Sequence, residues 1–204
     1  MQKLSIDIVG PLPRTQRGHT HILTVKDLFT RWVEAFPLSQ PTARKVADKL
    51  VAEVFMRFGP PEALHADNAT YFNATMMQDL AELLNIRLTF SPPYSPKSNP
   101  VERTHRDLNT LLRVLVRGDT NRWEEALPHA LFVLRTTVSQ ATKCTPFELM
   151  YGREARQPIE LLFGKPEKPP QELSAYVQEL QSRHSELIRQ AQKANLGAIR
   201  RQKT

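Results

Sequence analysis

Three carboxylates in this chain stand where chemistry could use them. Asp7 lies in LSIDIVGPLP, Asp67 in LHADNATYF and Glu102 in PYSPKSNPVERTHRDLN. The first two belong to apolar β-type runs and the third opens an amphipathic helix pattern. Carboxylates gathered at one point repel one another, and their ionised forms persist best when a divalent cation neutralises them. An all-oxygen donor set suits magnesium or manganese. Two such ions activate a water or hydroxyl nucleophile and stabilise the leaving oxygen at a phosphodiester. Each acid also has a plainer reading. Asp7 could hydrogen-bond a loop, and Asp67 could start an Asx turn with Asn68. Asn99-Pro100-Val101-Glu102 fits N-cap to N3 of a helix, so Glu102 could cap its own helix, a role compatible with holding a metal.

The elements that must position these acids follow from the periodicity. Leu4, Ile6 and Ile8 alternate with Lys3, Ser5 and Asp7 as a strand does, until Gly10-Pro11-Leu12-Pro13 stops it. HILTVKD (21–27) and RWVEAFPL (31–38) read as two further strands of an antiparallel meander. From Ala43 to Phe58 apolar residues recur at three- and four-residue steps, with Thr42 as N-cap and Gly59-Pro60-Pro61 as the stop. ALHAD (63–67) is a short strand, a helix follows around Met76 to Leu84, and IRLTF (86–90) is a fifth strand. After the Pro/Ser-rich loop SPPYSPKSNP (91–100), helices are expected from about 100 to 117 and from Trp123 to about Val138. The order predicts an α/β fold, a mixed sheet of about five strands flanked by helices. PFELMYG (146–152) reads as a turn-helix end to this core. GKPEKPP (164–170) has linker composition, and Leu173, Leu180 and Leu187 mark a C-terminal helical extension with a basic end. That extension suits an arm or a partner-binding helix as well as a coiled coil, since it holds fewer than four heptads.

Composition narrows the partners. The 204 residues are 40% hydrophobic and 24% charged, enough for one sizeable domain plus an appendage. A net charge of +7 and a pI near 9.8 point to an anionic partner, nucleic acid before any other, against the alternative of a solvated basic surface. The single cysteine, Cys144, excludes an internal disulfide and a Cys-rich zinc module. The chain has no membrane-length apolar stretch and no signal-peptide pattern, so a soluble intracellular protein is expected, not a secreted one.

The blocks IDIVGPLP, ADNATYF and PYSPKSNPVERTHRDL, with LRTTVSQATKCTPFELMYGREARQPIELLFG (134–164) downstream, resemble the catalytic core of retroviral integrases, most closely those of gypsy-type long-terminal-repeat retrotransposons. The resemblance covers residues 1–164, leaving 165–172 as linker and 173–204 as a basic helical tail. It implies a ribonuclease H-like fold and an acid triad of Asp7, Asp67 and Glu102 holding two Mg2+ or Mn2+ ions. It further implies a polynucleotidyl transferase that trims the 3′ ends of element DNA and transfers them into target DNA. Double-stranded DNA would be the partner, with Arg106 and, less directly, Arg103 facing it. The cores of this family associate through helices, so a homo-oligomer is expected, in the nucleus where the DNA lies or otherwise in the cytoplasm.

Three departures accompany the resemblance. Between Asp67 and Glu102 stand 102 − 67 − 1 = 34 residues, one fewer than usual in the family. Pro100 replaces a flexible Gly in the loop, and Ala69 replaces a Gly after the second acid. If Ala69 required positive φ it would cost about 1 kcal/mol. With no zinc module before Asp7 and no small β-barrel after the tail, the sequence reads as a fragment, a decayed reading frame or a co-opted core. The competing reading is an integrase-derived nucleic-acid- or protein-binding module without catalysis. A cut-and-paste transposase of the same fold is more distant, because the PFELMYGR block points to the retroelement branch.

Overall fold

The computed structural model describes residues 1–91, 102–157 and 173–202, and a few side chains at the ends of the last two segments lie outside the description. The chain divides into two compact units, Met1–Leu134 and Arg135–Thr204.

The first unit is built on five strands: β1 (Lys3–Val9), β2 (His21–Asp27), β3 (Val33–Leu38), β4 (Ala63–Ala66) and β5 (Arg87–Phe90). Their order in the sheet is β3-β2-β1-β4-β5. The first three form the expected antiparallel meander, and β4 and β5 add on in parallel. This is the mixed ribonuclease H-like sheet that the sequence predicted. The third strand begins two residues later than expected. Arg31, at φ 66, and Trp32 belong to the turn before it, where buried Asp27 accepts hydrogen bonds from the Thr30 backbone N–H and hydroxyl. At the end of β1, Gly10 has φ 149 and a Cβ there would lie 2.5 Å from the His21 ring, so only glycine fits.

The helices are α1 (Ala43–Lys49), α2 (Met56–Phe58), α3 (Thr75–Leu83), α4 (Glu102–Leu115) and α5 (Trp123–Thr136) in the first unit's sequence, then α6 (Pro146–Tyr151) and α7 (Leu173–Gln202). Thr42 caps α1 by accepting from the Lys45 N–H, and Gly59 ends α2 at φ 81, as expected. Between α1 and α2 the helix widens to a π-type segment, Leu50–Phe55, which the apolar periodicity did not mark. The N-cap reading of Asn99 to Val101 lies outside the described residues.

Strand pleating divides the core in two. Leu4 and Ile6 of β1, Leu23 and Val25 of β2 and Phe36 and Leu38 of β3 pack with α1, the π-type segment and α3 on one face. Ile22, Val33 and Ala35 face the other way, onto Leu108 and Leu112 of α4 and Trp123, Leu127 and Leu131 of α5. Asp7 and Val9 of β1, and Thr24 and Lys26 of β2, share this second face by alternation. Asp7, Thr24 and Lys26, the polar ones among them, meet residues of α4 or its neighbours there. Within the helix, Thr104, Leu108 and Leu112 are buried at four-residue steps, the signature of one face against the sheet. Burial of each leucine contributes about 1.5–3 kcal/mol.

In the second unit, Thr145 and Glu148 form a reciprocal capping box on α6, and Gly152 closes it in a left-handed conformation at φ 69. A nitrogen of His184 on α7 meets the Leu149 carbonyl at 2.9 Å, and Leu180 and His184 lie against Gly152. The leucine repeat of the tail is therefore read partly by its own unit. No helix among the described residues is long and apolar enough to cross a membrane.

Candidate metal centre

The parallel pairing of β1 with β4 puts the strands that carry two of the acids side by side. Lys3 pairs with Ala63, Leu4 with Leu64 and Ser5 with His65, an offset of 63 − 3 = 60. Carrying that register two residues on sets Asp67, just past the carboxyl end of β4, beside Asp7 on β1. In sheets of this kind, ligand groups converge at the carboxyl ends of parallel strands. Tyr71, four residues after Asp67, reports the proximity. Burial pushes its phenol up to about 12, and the charges of Asp67 and Asp7 both push in the same direction.

Each acid also holds local structure. Asp7 Oδ1 accepts from the Ile8 N–H at 2.7 Å, and Asp67 Oδ1 accepts from the Ala69 N–H at 3.1 Å. The second bond is the Asx turn that the sequence allowed. It leaves Asp67 Oδ2 outside that turn and aligns the carboxylate with the strand end. Asn68 reaches past it, donating to the Ser91 carbonyl at 2.9 Å and so tying the Asp67 loop to the end of β5. Ala69 is not among the non-glycine residues with positive φ, so the strain considered for it does not arise.

Glu102 is the first residue of α4. Its carboxylate lies outside the described side chains. What the structure does supply is the tether that holds its helix to Asp7. His105, three residues on, places Nδ1 3.7 Å from Asp7 Oδ2 and Nε2 2.7 Å from the Thr24 hydroxyl. Thr24, fully buried, donates that hydroxyl to the Asp7 carbonyl oxygen at 3.0 Å. Burial, and then the charge of Lys26, push the His105 imidazole down to about 4, so at neutral pH it is uncharged and its approach to Asp7 is no ion pair. Arg103 and Arg106 are exposed on α4.

His105, Thr24, Lys26 and Tyr71 were not singled out in the sequence. A signal for three of them was present: Thr24 and Lys26 alternate on one face of an apolar strand, and His105 stands at i+3 from Glu102. Lys26 donates to the Thr104 hydroxyl at 2.6 Å beneath α4. Burial, followed by the charge of Arg31, brings its amine down from the ordinary 10.5 to about 8, with Asp107 opposing and Arg103 adding a smaller push. An unfolded chain therefore keeps this proton up to about 10.5, whereas the folded chain releases it near 8. Stability is expected to rise with pH across that window, by about 1–3 kcal/mol. Denaturant midpoints across the window test it. A Lys26→Met variant should lose this rise, and an unchanged slope in the variant would refute the assignment.

Asp7, Asp67 and Glu102 would together offer an oxygen donor set of the type that hard divalent cations take. Among the described residues no three acidic, histidine or cysteine side chains are already gathered as a ligand cluster. The fit accordingly rests on the Asp7–Asp67 pair and on the position at which Glu102 enters.

Comparison with known proteins bears on the family and the fold. Residues 1–96 match the family model "Integrase core domain". Over 181 residues the chain is 32% identical to the Pro-Pol polyprotein of simian foamy virus type 3 (strain LK3), covering 88% of this chain and 16% of that protein. Over 137 residues it is 38% identical to the Pol polyprotein of radiation murine leukemia virus (strain Kaplan), covering 66% of this chain and 23% of that one. The chain thus spans less than a quarter of the length of these curated relatives. The crystal structure of the catalytic core domain of BIV integrase superposes with a TM-score of 0.58 at 29% identity, covering 72% of this chain and 92% of that one. Sheet order and sequence likeness agree, and the chain belongs to the retroviral and retrotransposon integrase catalytic cores.

Proposed function

We propose that this chain is the core of a metal-dependent polynucleotidyl transferase for DNA integration, which trims the 3′ ends of retroelement DNA and joins them to target DNA. The observation that supports this reading is the parallel β1–β4 pairing, whose register continued two residues beyond Ser5 and His65 would bring Asp7 level with Asp67, with Asp7 Oδ2 3.7 Å from His105 in the first turn of α4. Asp7, Asp67 and Glu102 would hold two Mg2+ or Mn2+ ions. When bound, such ions supply a deprotonated nucleophile and charge neutralisation at the phosphodiester. The protein's own part is positional. The sheet fixes two ligands, the His105–Thr24 link fixes the helix that carries the third, and Arg103 and Arg106 offer exposed cations to the phosphates of double-stranded DNA. A homo-oligomer working in the nucleus is part of the same proposal.

The test is disintegration of a branched DNA substrate by the full chain. Joining is expected with Mn2+ or Mg2+ and none after chelation, while joining that is indifferent to chelator would end the proposal. A second reading, a binding module without catalysis, draws on the local hydrogen bonds that Asp7 and Asp67 make to Ile8 and Ala69, which are enough to account for structural acids. Calorimetric titration separates the two. DNA binding without Mn2+ binding favours the module, and Mn2+ binding that needs both Asp67 and Glu102 favours the enzyme.

A further inference from the structure

Ser91, just past β5, is buried and fastened at each of its polar groups. Its N–H donates to the Ala66 carbonyl at 2.9 Å, and its own carbonyl accepts from the Asn68 side chain at 2.9 Å. Its hydroxyl meets His65 Nε2 at 3.0 Å, and His65 Nδ1 meets the Thr89 hydroxyl at 3.0 Å. A hydroxyl both donates and accepts, so either tautomer of the ring satisfies both contacts. The three partners of Ser91, namely His65, Ala66 and Asn68, bracket Asp67 in the sequence. Leu64 and Ala66 enter the first core, so alternation sets His65 on the opposite face of β4, and the register pairs it with Ser5 on the strand of Asp7.

The strand ladder by itself accounts only for the bond to Ala66. The two side-chain bonds do more, because they tie Ser91 to residues on both sides of the acid. Ser91 also starts the connection that reaches Glu102, 102 − 91 = 11 residues on. His65 and Asn68 thereby join the strand end of the second acid to the chain that leads to the third.

We propose that His65 is a positioning residue of the acid site, holding Ser91, and with it the start of that connection, in fixed relation to Asp67. The proposal rests on the acid-site reading given above. Removing a residue that orients metal ligands lowers affinity by about 10–100-fold, and His65, which acts through Ser91, belongs at the lower end.

The measurement is calorimetric titration of Mn2+ into the full chain without DNA, for the wild type, Ser91→Ala, His65→Ala and the double variant. Ser91→Ala removes one oxygen and keeps both backbone bonds, so it serves even where His65→Ala fails to fold. Each single change should weaken Mn2+ binding about tenfold. The double variant should bind no more weakly than His65→Ala, because both changes break the same link. His65→Gln, which keeps an amide able to reach Ser91, should recover most of the loss. Affinity losses that add in the double variant overturn the shared link. Wild-type binding that depends on Asp67 but is unchanged in Ser91→Ala overturns the inference and leaves the acid site standing. Mn2+ binding indifferent to Asp67→Asn overturns the acid site, and this inference with it.

Discussion

Asp67→Asn is expected to lower metal-dependent DNA joining by at least about a thousandfold. The change keeps the size of the side chain, and its amide oxygen can still accept from the Ala69 N–H, so the turn after β4 should persist. What disappears is one negative charge just past the carboxyl end of β4. Removing a metal ligand costs several kcal/mol of transition-state stabilisation, and each 1.36 kcal/mol is a factor of ten. The check is single-turnover disintegration with saturating Mn2+, alongside thermal unfolding to show that the fold is kept. Joining within about tenfold of wild type would mean that Asp67 serves the Asx turn alone. The variant should also relieve Tyr71, whose phenol Asp67 helps to push up, so that ring should ionise at lower pH.

Phe72→Ala is expected to bring the largest loss of stability, about 3–5 kcal/mol. Phe72 is 1% exposed and among the largest fully buried side chains, and it packs edge-on against Tyr71 at 4.6 Å between ring centroids. It follows Asp67 by five residues, so the loop carrying the second acid is pinned to the core at this ring. Deleting it leaves a cavity behind the site itself. Domains are commonly stable by only 5–15 kcal/mol, so the variant should unfold at markedly lower denaturant and hold Asp67 less firmly even when folded. Equilibrium denaturation decides the point. A loss below about 1 kcal/mol would show that the ring anchors nothing.

The five strands were legible because apolar alternation is a local property and each run ended at a turn residue. Asp7 and Asp67 were legible for the same reason, each set in a strand-type run. Thr42, Gly59 and the Pro146 turn-helix followed from equally local backbone chemistry. The π-type widening at Leu50–Phe55 was not legible, since its residues keep ordinary helical spacing. The cap of α6 was legible though it was not singled out, since Thr145-Pro146-Phe147-Glu148 carries the capping-box spacing in the sequence itself.

The sequence by itself determined which acids could matter, which elements carry them and that the chain as a whole would favour an anionic partner. These depend on residue type and on neighbours within a few positions. Only the tertiary structure decided that the strands carrying Asp7 and Asp67 run side by side, because a parallel register between strands sixty residues apart is set by packing across the sheet. It alone placed Thr24 and His105, 81 residues apart, within 2.7 Å of one another, and with them the link from the first strand to the helix that Glu102 opens. A buried polar side chain must find a partner wherever the fold brings one, and no local pattern names that partner in advance.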